Sequence, residues 1–191
     1  MVLKRGIDIM ITDRNYTVID IETTGLSPLE DEIIELSALK VRDNKVVKEF
    51  SSLINPNKEI SDFISSLTGI TQSMVQNAPD IKTVLPLFID FIGDDTVLGH
   101  NVSFDLGFIR TKYKRCFGLD FHNQQTDTMK IAKKAIKLRN YKLTTIAQYY
   151  HIDTRNNHRG LKDCYITFEV YKLLTTGTAK VDTGSGHVRI I

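Results

Sequence analysis

Apolar positions first fall in short β-branched runs, and after residue 56 they recur at helical spacing. Tyr16-Thr17-Val18-Ile19-Asp20-Ile21-Glu22 is short and β-branched and ends at the turn signal Thr23-Thr24-Gly25, which predicts a strand. Glu32 to Arg42 stays apolar and extended, and Asp43-Asn44 offers a turn into a third strand over Lys45 to Ile54. Asn55-Pro56 closes this antiparallel block. Helical patterns follow. Ser61 opens a short helix that stops at Thr68-Gly69, Thr71 starts another, and Asp80 caps a longer one through Ile92, with apolar positions at Val84, Leu85, Phe88, Ile89 and Ile92.

Thr96-Val97-Leu98-Gly99 reads as a short buried strand, and Asp105 to Phe117 as a helix stopped by Gly118. A last short strand is expected within Phe121 to Asp127, then helices near Thr128–Lys137, Leu143–Tyr150 and His158–Leu174. Strands first and strand–helix alternation later predict an α/β layer fold around one mixed sheet. Residues 175–191 lack a periodic face and are expected to be a flexible tail. The division is therefore an N-terminal extension over 1–14, one domain over 15–174, and the tail.

Composition narrows the function classes. With 191 residues, 41% hydrophobic and 25% charged, the chain can fill one core and fits a single globular unit. A net charge of +2 excludes a histone-like wrapper of nucleic acid and leaves room for an enzyme that grips a few phosphates. Two cysteines, Cys116 and Cys164, make neither a disulfide framework nor a zinc site, which fits a reducing compartment. No apolar run approaches the roughly 18 residues that cross a bilayer, and no apolar h-region follows Lys4 and Arg5. The expectation is a cytoplasmic protein with no membrane partner.

Three groups of polar residues stand at the ends of predicted elements, where open α/β sheets place their sites. Asp20 and Glu22 are two apart on one strand and point to one face. Side by side in an apolar strand they repel each other unless a cation sits between them, and their hard oxygens suit magnesium or manganese. Taken alone, Asp-x-Glu is a short pattern that solvent at the strand's end would also explain. Asp105 follows the loop Gly99-His100-Asn101-Val102-Ser103-Phe104, where a first-turn helical acid is ordinary by itself. His158 and Asp163 lie within about a turn and a half of each other. Jointly, four carboxylates suffice for two divalent cations about 3.5–4 Å apart, the spacing used for displacement at phosphorus, with His158 as a base.

In this order the residues resemble the DEDDh branch of the DnaQ-like 3′–5′ exonucleases, the family of the bacterial DNA polymerase III proofreading subunit. The first motif is Asp20-Ile21-Glu22-Thr23-Thr24-Gly25-Leu26, and the second is His100-Asn101-Val102-Ser103-Phe104-Asp105-Leu106-Gly107-Phe108. The third is His158-x4-Asp163, with Arg159 where the family's tyrosine branch has its tyrosine. Leu67-Thr68-Gly69-Ile70-Thr71 and Asp127-Thr128 also match, and Asn55 to Pro79 resembles the exonuclease region of the Gram-positive type of replicative polymerase. Motif three departs in having Gly160 and Lys162 where relatives often have alanine and an acid.

The resemblance implies a ribonuclease H-like fold, a five-stranded mixed sheet of order 3-2-1-4-5 with strand 2 antiparallel, flanked by helices. It implies two cations, Mg2+ or Mn2+, bridged by Asp20 and held by Glu22 and Asp163 on the nucleophile side and by Asp105 on the other. His158 would be the general base, Thr23 and Leu26 would contact the terminal nucleotide, and His100, Asn101 and Phe104 would line the same cleft. The implied substrate is a single-stranded or frayed DNA 3′ end, with a DNA polymerase as partner. An RNA exonuclease of the ribonuclease T or oligoribonuclease type would share all five catalytic positions. A catalytically idle nucleic-acid-binding module on the same fold is disfavoured, because buried acids without a cation only cost stability.

Overall fold

The computed structural model describes residues 14–154 and 159–176. The apolar run at the start of the chain becomes β1 (Tyr16–Thr23), the middle strand of a five-stranded sheet. It pairs antiparallel with β2 (Ile33–Arg42), which pairs antiparallel with β3 (Lys45–Leu53). On its other side β1 pairs parallel with β4 (Val97–Gly99), and β4 with β5 (Gln125–Asp127). The order β3-β2-β1-β4-β5, with β2 running against both neighbours, is the ribonuclease H-like arrangement expected from sequence. Asp43 and Asn44 form the β2–β3 turn with φ of 49° and 58°. Both positive angles belong to a two-residue hairpin turn, where Asp and Asn tolerate the left-handed region.

The helical half supplies α1 (Asp62–Thr68), α2 (Gln72–Val75), α3 (Ile81–Ile92), α4 (Ser103–Phe117), α5 (Thr128–Ala135), α6 (Leu143–Tyr149) and α7 (Gly160–Thr176). Ser61 caps α1 by accepting from the Ile64 N–H, and Asp80 caps α3 by accepting from Thr83, each worth about 1 kcal/mol. Alternation along β1 divides the molecule into layers. Ile19 and Ile21 face the α3/α4 side, in a core with Leu85, Phe88, Leu106 and Phe108. Tyr16 and Val18 face α7, where Cys164, Phe168 and Tyr171 cover them. Asp20 and Glu22 continue that second row. Sequence patterning therefore carries two acids along the face that α7 covers.

Several element boundaries differ from expectation. α4 begins at Ser103, so Asp105 sits inside the first turn, although Val102 offers no side-chain cap. α5 ends at Ala135 rather than Lys137, because Ile136 turns extended and Tyr141 Oη donates to its carbonyl. Of Phe121–Asp127 only Gln125–Asp127 is strand, matching the three residues that β4 presents, while Phe121 plugs the core. α7 runs through Thr176, two residues past Leu174, with the Thr175 and Thr176 hydroxyls donating to the Tyr171 and Lys172 carbonyls. The expected extension over 1–14, apart from Arg14, lies outside the described residues, as do the expected tail from 177 onward and His158. Among the described residues no helix is long and apolar enough to cross a membrane.

Candidate active site

The carboxylates of Asp20, Glu22 and Asp163 converge at the C-terminal end of β1, each with an oxygen within 4.8 Å of the others'. Asp20 and Glu22 arrive by strand alternation. Asp163 arrives because α7 lies across β1 and β2 with its first turn at this end, and its own N–H bonds to the Arg159 carbonyl. Asp163 is buried, while the two strand acids keep part of their surface open.

Asp105 comes from the opposite layer. β4 is so short that its ladder with β1 covers only Thr17 and Val18. Further along, the Ile21 N–H has no β4 partner and donates instead to Asp105 Oδ1 at 3.2 Å. A carboxylate from α4 thereby occupies the gap where the ladder ends, beside the other three.

The electrostatics of this end are one-sided. Burial pushes the Asp20 carboxyl well above its ordinary value, and the charges of Asp105, Glu22, Asp163 and Glu35 push the same way. Glu22 is raised to about 8, by burial first and then by Asp163, Glu35 and Asp105. Burial also raises Asp105 to about 8, with Asp127 adding to it, against the lowering by its backbone hydrogen bonds. Acids gathered like this are strained until positive charge joins them, and their all-oxygen donor set suits a hard divalent cation. The residues present fit that group.

The flanking residues take several roles. Thr23 is buried, and its hydroxyl donates to the Gly25 carbonyl at 2.6 Å. Leu26 is 84% exposed on the β1–β2 loop. That loop is firmly held. Asp31 accepts from the Ser27 N–H, a Cβ on Gly25 would lie 2.3 Å from the Asp31 carboxylate, and the fully buried Lys112 reaches Glu32 at 2.9 Å and the Asp31 carbonyl. His100 is held by both ring nitrogens. Nε2 faces the Tyr141 carbonyl at 2.9 Å and so carries the proton, leaving Nδ1 to accept from the Thr128 hydroxyl at 2.9 Å. Burial lowers the His100 pKa, against the raising effect of the Tyr141 hydrogen bond and the Asp127 charge. Asn101 adopts φ 60° with its N–H on the Asp127 carboxylate, and Phe104 packs against Phe108 with ring centroids 5.1 Å apart.

Sequence reasoning assigned no role to two groups that face this site from β2. Glu35 is 2% exposed, lies opposite Glu22 in the ladder, and accepts from the Gly160 N–H at 3.0 Å. Ser37, opposite Asp20, is fully buried, and its hydroxyl has no partner among the described residues. The available signal was an acid inside the apolar run Ile33-Ile34-Glu35-Leu36, which placed it in the core once the hairpin register was known.

Comparison with known proteins agrees with this geometry. The exonuclease family model matches residues 17–171. The DNA polymerase III epsilon subunit of Aquifex aeolicus is 38% identical over 162 residues, covering 84% of this chain and 80% of that protein. The PolC-type DNA polymerase III of Thermotoga maritima is 40% identical over 159 residues, covering 83% of this chain but only 12% of that much longer protein. Among solved structures, Exonuclease X in complex with 5′-overhanging duplex DNA superposes with a TM-score of 0.68 at 27% identity, covering 85% of this chain and 92% of that one. Exonuclease I, at 20% identity and a TM-score of 0.76 over 86% of this chain and 41% of that one, shares the fold. The family match runs across the sheet and all four acids gathered at its end, and the chain belongs to the exonuclease family of nucleases.

Proposed function

We propose that this domain removes nucleotides from DNA 3′ ends as nucleoside 5′-monophosphates, in proofreading or repair, with two divalent cations, Mg2+ or Mn2+. The observation that carries the reading is the cluster of Asp20, Glu22 and Asp163 oxygens within 4.8 Å, with Asp105 fastened beside it. Asp20, Glu22 and Asp163 would hold one cation, and Asp20 with Asp105 the second. Bound there, the cations supply Lewis-acid stabilisation of charge on the attacking and leaving oxygens. The chain's own residues do the rest. Hydrolysis adds water at the terminal phosphorus and breaks the bond to the 3′ oxygen; His158 would accept the proton lost by the water and pass it to solvent, from which the departing 3′ oxygen takes its own. Leu26, exposed on a held loop, would give the last base an apolar surface, and Thr23 would contact the same nucleotide. Asn101 and Phe104 would line the cleft from the loop that the fully engaged His100 fixes. Such a site reads backbone and a free end rather than sequence. The relatives named for DNA polymerase III make a polymerase the proposed partner, in the cytoplasm.

The test is digestion of 3′-labelled single-stranded, mismatched and paired DNA, beside matched RNA, with Mg2+ or Mn2+ and with chelator. Cation-dependent release of mononucleotides from the 3′ end, faster on single-stranded and mismatched DNA, is the expected result. A clear preference for RNA would move the substrate to the ribonuclease class, since a groove built for RNA responds to the 2′-hydroxyl. No hydrolysis with either cation would overturn the reading.

A further inference from the structure

We propose that Glu35 is a positioning residue that fastens the first turn of α7 to the sheet and so places the Asp163 carboxylate among those of Asp20 and Glu22. The inference rests on the reading of these three acids as cation ligands. Glu35 is 2% exposed between Ile34 and Leu36, which are fully buried. An acid in such surroundings is tolerated only where its oxygens are engaged. One oxygen accepts from the Gly160 N–H at 3.0 Å, and the other lies 3.8 Å from the Arg159 guanidinium. Gly160 begins a 17-residue helix, so its N–H is one of the donors that no intrahelical carbonyl can satisfy, and a carboxylate there also meets the positive end of the helix dipole.

The contact has a second point. Ser37 stands two residues along β2 on the same face, and a Cβ on Gly160 would lie 2.7 Å from its Oγ and 3.4 Å from Asp20 Oδ2. The helix backbone therefore sits against β2 at Ser37 with no room for a side chain between them, while the Glu35 bond holds it there. Asp163 is three residues beyond Gly160, one turn further along the same helix face. Glu35 is not one of the three acids whose oxygens lie within 4.8 Å of one another, and its hydrogen-bonding oxygen points to Gly160. Its place is that of a support behind a ligand. The rest of α7 docks without it, through Cys164, Phe168 and Tyr171 on one cluster and Ile166 and Val170 on another. What Glu35 adds is the registration of the first turn.

The experiment compares the full chain with E35A, E35D and E35Q, using Mn2+ alone as the binding probe and an oligonucleotide for kinetics. Removing a group that orients a ligand typically costs about 10–100-fold in metal affinity or activity. E35A and E35D, which lose or shorten the acceptor, are expected to weaken Mn2+ binding at least about 10-fold and to lower kcat with KM for the oligonucleotide little changed. E35Q keeps an acceptor oxygen of the same reach and is expected to restore both. Circular dichroism and melting identify any variant that does not fold, and E35D carries the test should E35A be one. Folded E35A or E35D with wild-type Mn2+ affinity and kcat overturns the proposal. So does E35Q as impaired as E35A, which would make the charge rather than the hydrogen bond the active element. Failure of the wild-type chain to bind Mn2+ or hydrolyse DNA is a separate result and overturns the cation reading itself.

Discussion

The backbone N–H of Ile21 donates to the Asp105 carboxylate at 3.2 Å, at the point where β1 runs on past the end of β4. A side chain thus completes a strand edge, and the same bond presents an acid to the cluster. The two duties separate by substitution. D105N keeps an acceptor for Ile21 and cannot ionise, so above about pH 8, where Asp105 itself takes on charge beside Asp20, its melting temperature in chelator should equal or exceed that of the wild type. Its hydrolysis should fall by more than the about 10–100-fold typical of losing a residue that only orients a ligand. D105A leaves the Ile21 N–H unsatisfied and should cost about 1–3 kcal/mol as well. Urea denaturation and single-turnover digestion of the three proteins measure both.

Stability without cations should fall as pH rises. Glu22 is raised to about 8 from 4.5, and Asp105 to about 8 from 3.8. The native state therefore holds protons that the unfolded chain has released, and this contribution is complete below pH 4. It is lost as pH climbs through about 8. Chelator-treated protein is expected to melt several degrees lower at pH 9 than at pH 6. Mn2+ competes with those protons, so its apparent affinity should increase over the same interval and its stabilisation should be largest at the alkaline end. Calorimetric scans at a series of pH values, with and without Mn2+, check both slopes. A flat chelator curve between pH 6 and 9 would contradict the assignment of buried, protonated acids.

The parts of this architecture that local chemistry determines were readable from sequence. The alternation that faces Asp20 and Glu22 toward α7, the Asp43-Asn44 turn and the Ser61 and Asp80 caps each depend on neighbours within a few residues. The start of α4 was misplaced because Val102 gives no cap signal, and the end of α5 because Tyr141, five residues beyond Ile136, decides it. The acids were identified as a set through motif resemblance, whereas their meeting depends on the register of β1 with β2 and on the shortness of β4. Glu35 and Lys112 lay beyond reach, since Glu35 finds its partner 125 residues away and Lys112 finds the Asp31 carbonyl 81 away. In a linear pattern Lys112 looks like an ordinary charged position, and Glu35 shows only as an acid inside an apolar run, with nothing to name its partner.

Lys112 is a test of how rigidly Leu26 is presented. Its ammonium is fully buried against Glu32 and the Asp31 carbonyl, and Glu32 also pairs with Arg115. K112M preserves the length of the stem and removes the charge. Because Glu32 keeps Arg115 and is 19% exposed, the cost should be about 1–2 kcal/mol, below the loss seen when a buried ion is left without any partner. The loop from Gly25 to Asp31 should become an early site of limited proteolysis while Mn2+ affinity stays unchanged. Protection equal to wild type would show that the Asp31 carboxylate, Thr24 and Lys58 hold the loop without Lys112.

Gly160 and Ser37 should behave as a coupled pair. A methyl on Gly160 would come within 2.7 Å of Ser37 Oγ and 3.0 Å of its Cβ, closer than real contacts allow. G160A is therefore expected to lose about 1–3 kcal/mol to overpacking, despite alanine's better helix propensity. It should also weaken Mn2+ binding as the first turn of α7 is pushed outward. S37G removes both offending atoms together with a buried hydroxyl that has no partner among the described residues, so S37G/G160A should recover most of the stability lost in G160A. Urea denaturation of the wild type, both single variants and the double variant gives the coupling, expected to exceed about 1 kcal/mol in the favourable direction. Simple additivity would mean that α7 shifts freely over β2, and the close seat of the helix on that strand would then have no bearing on where Asp163 stands.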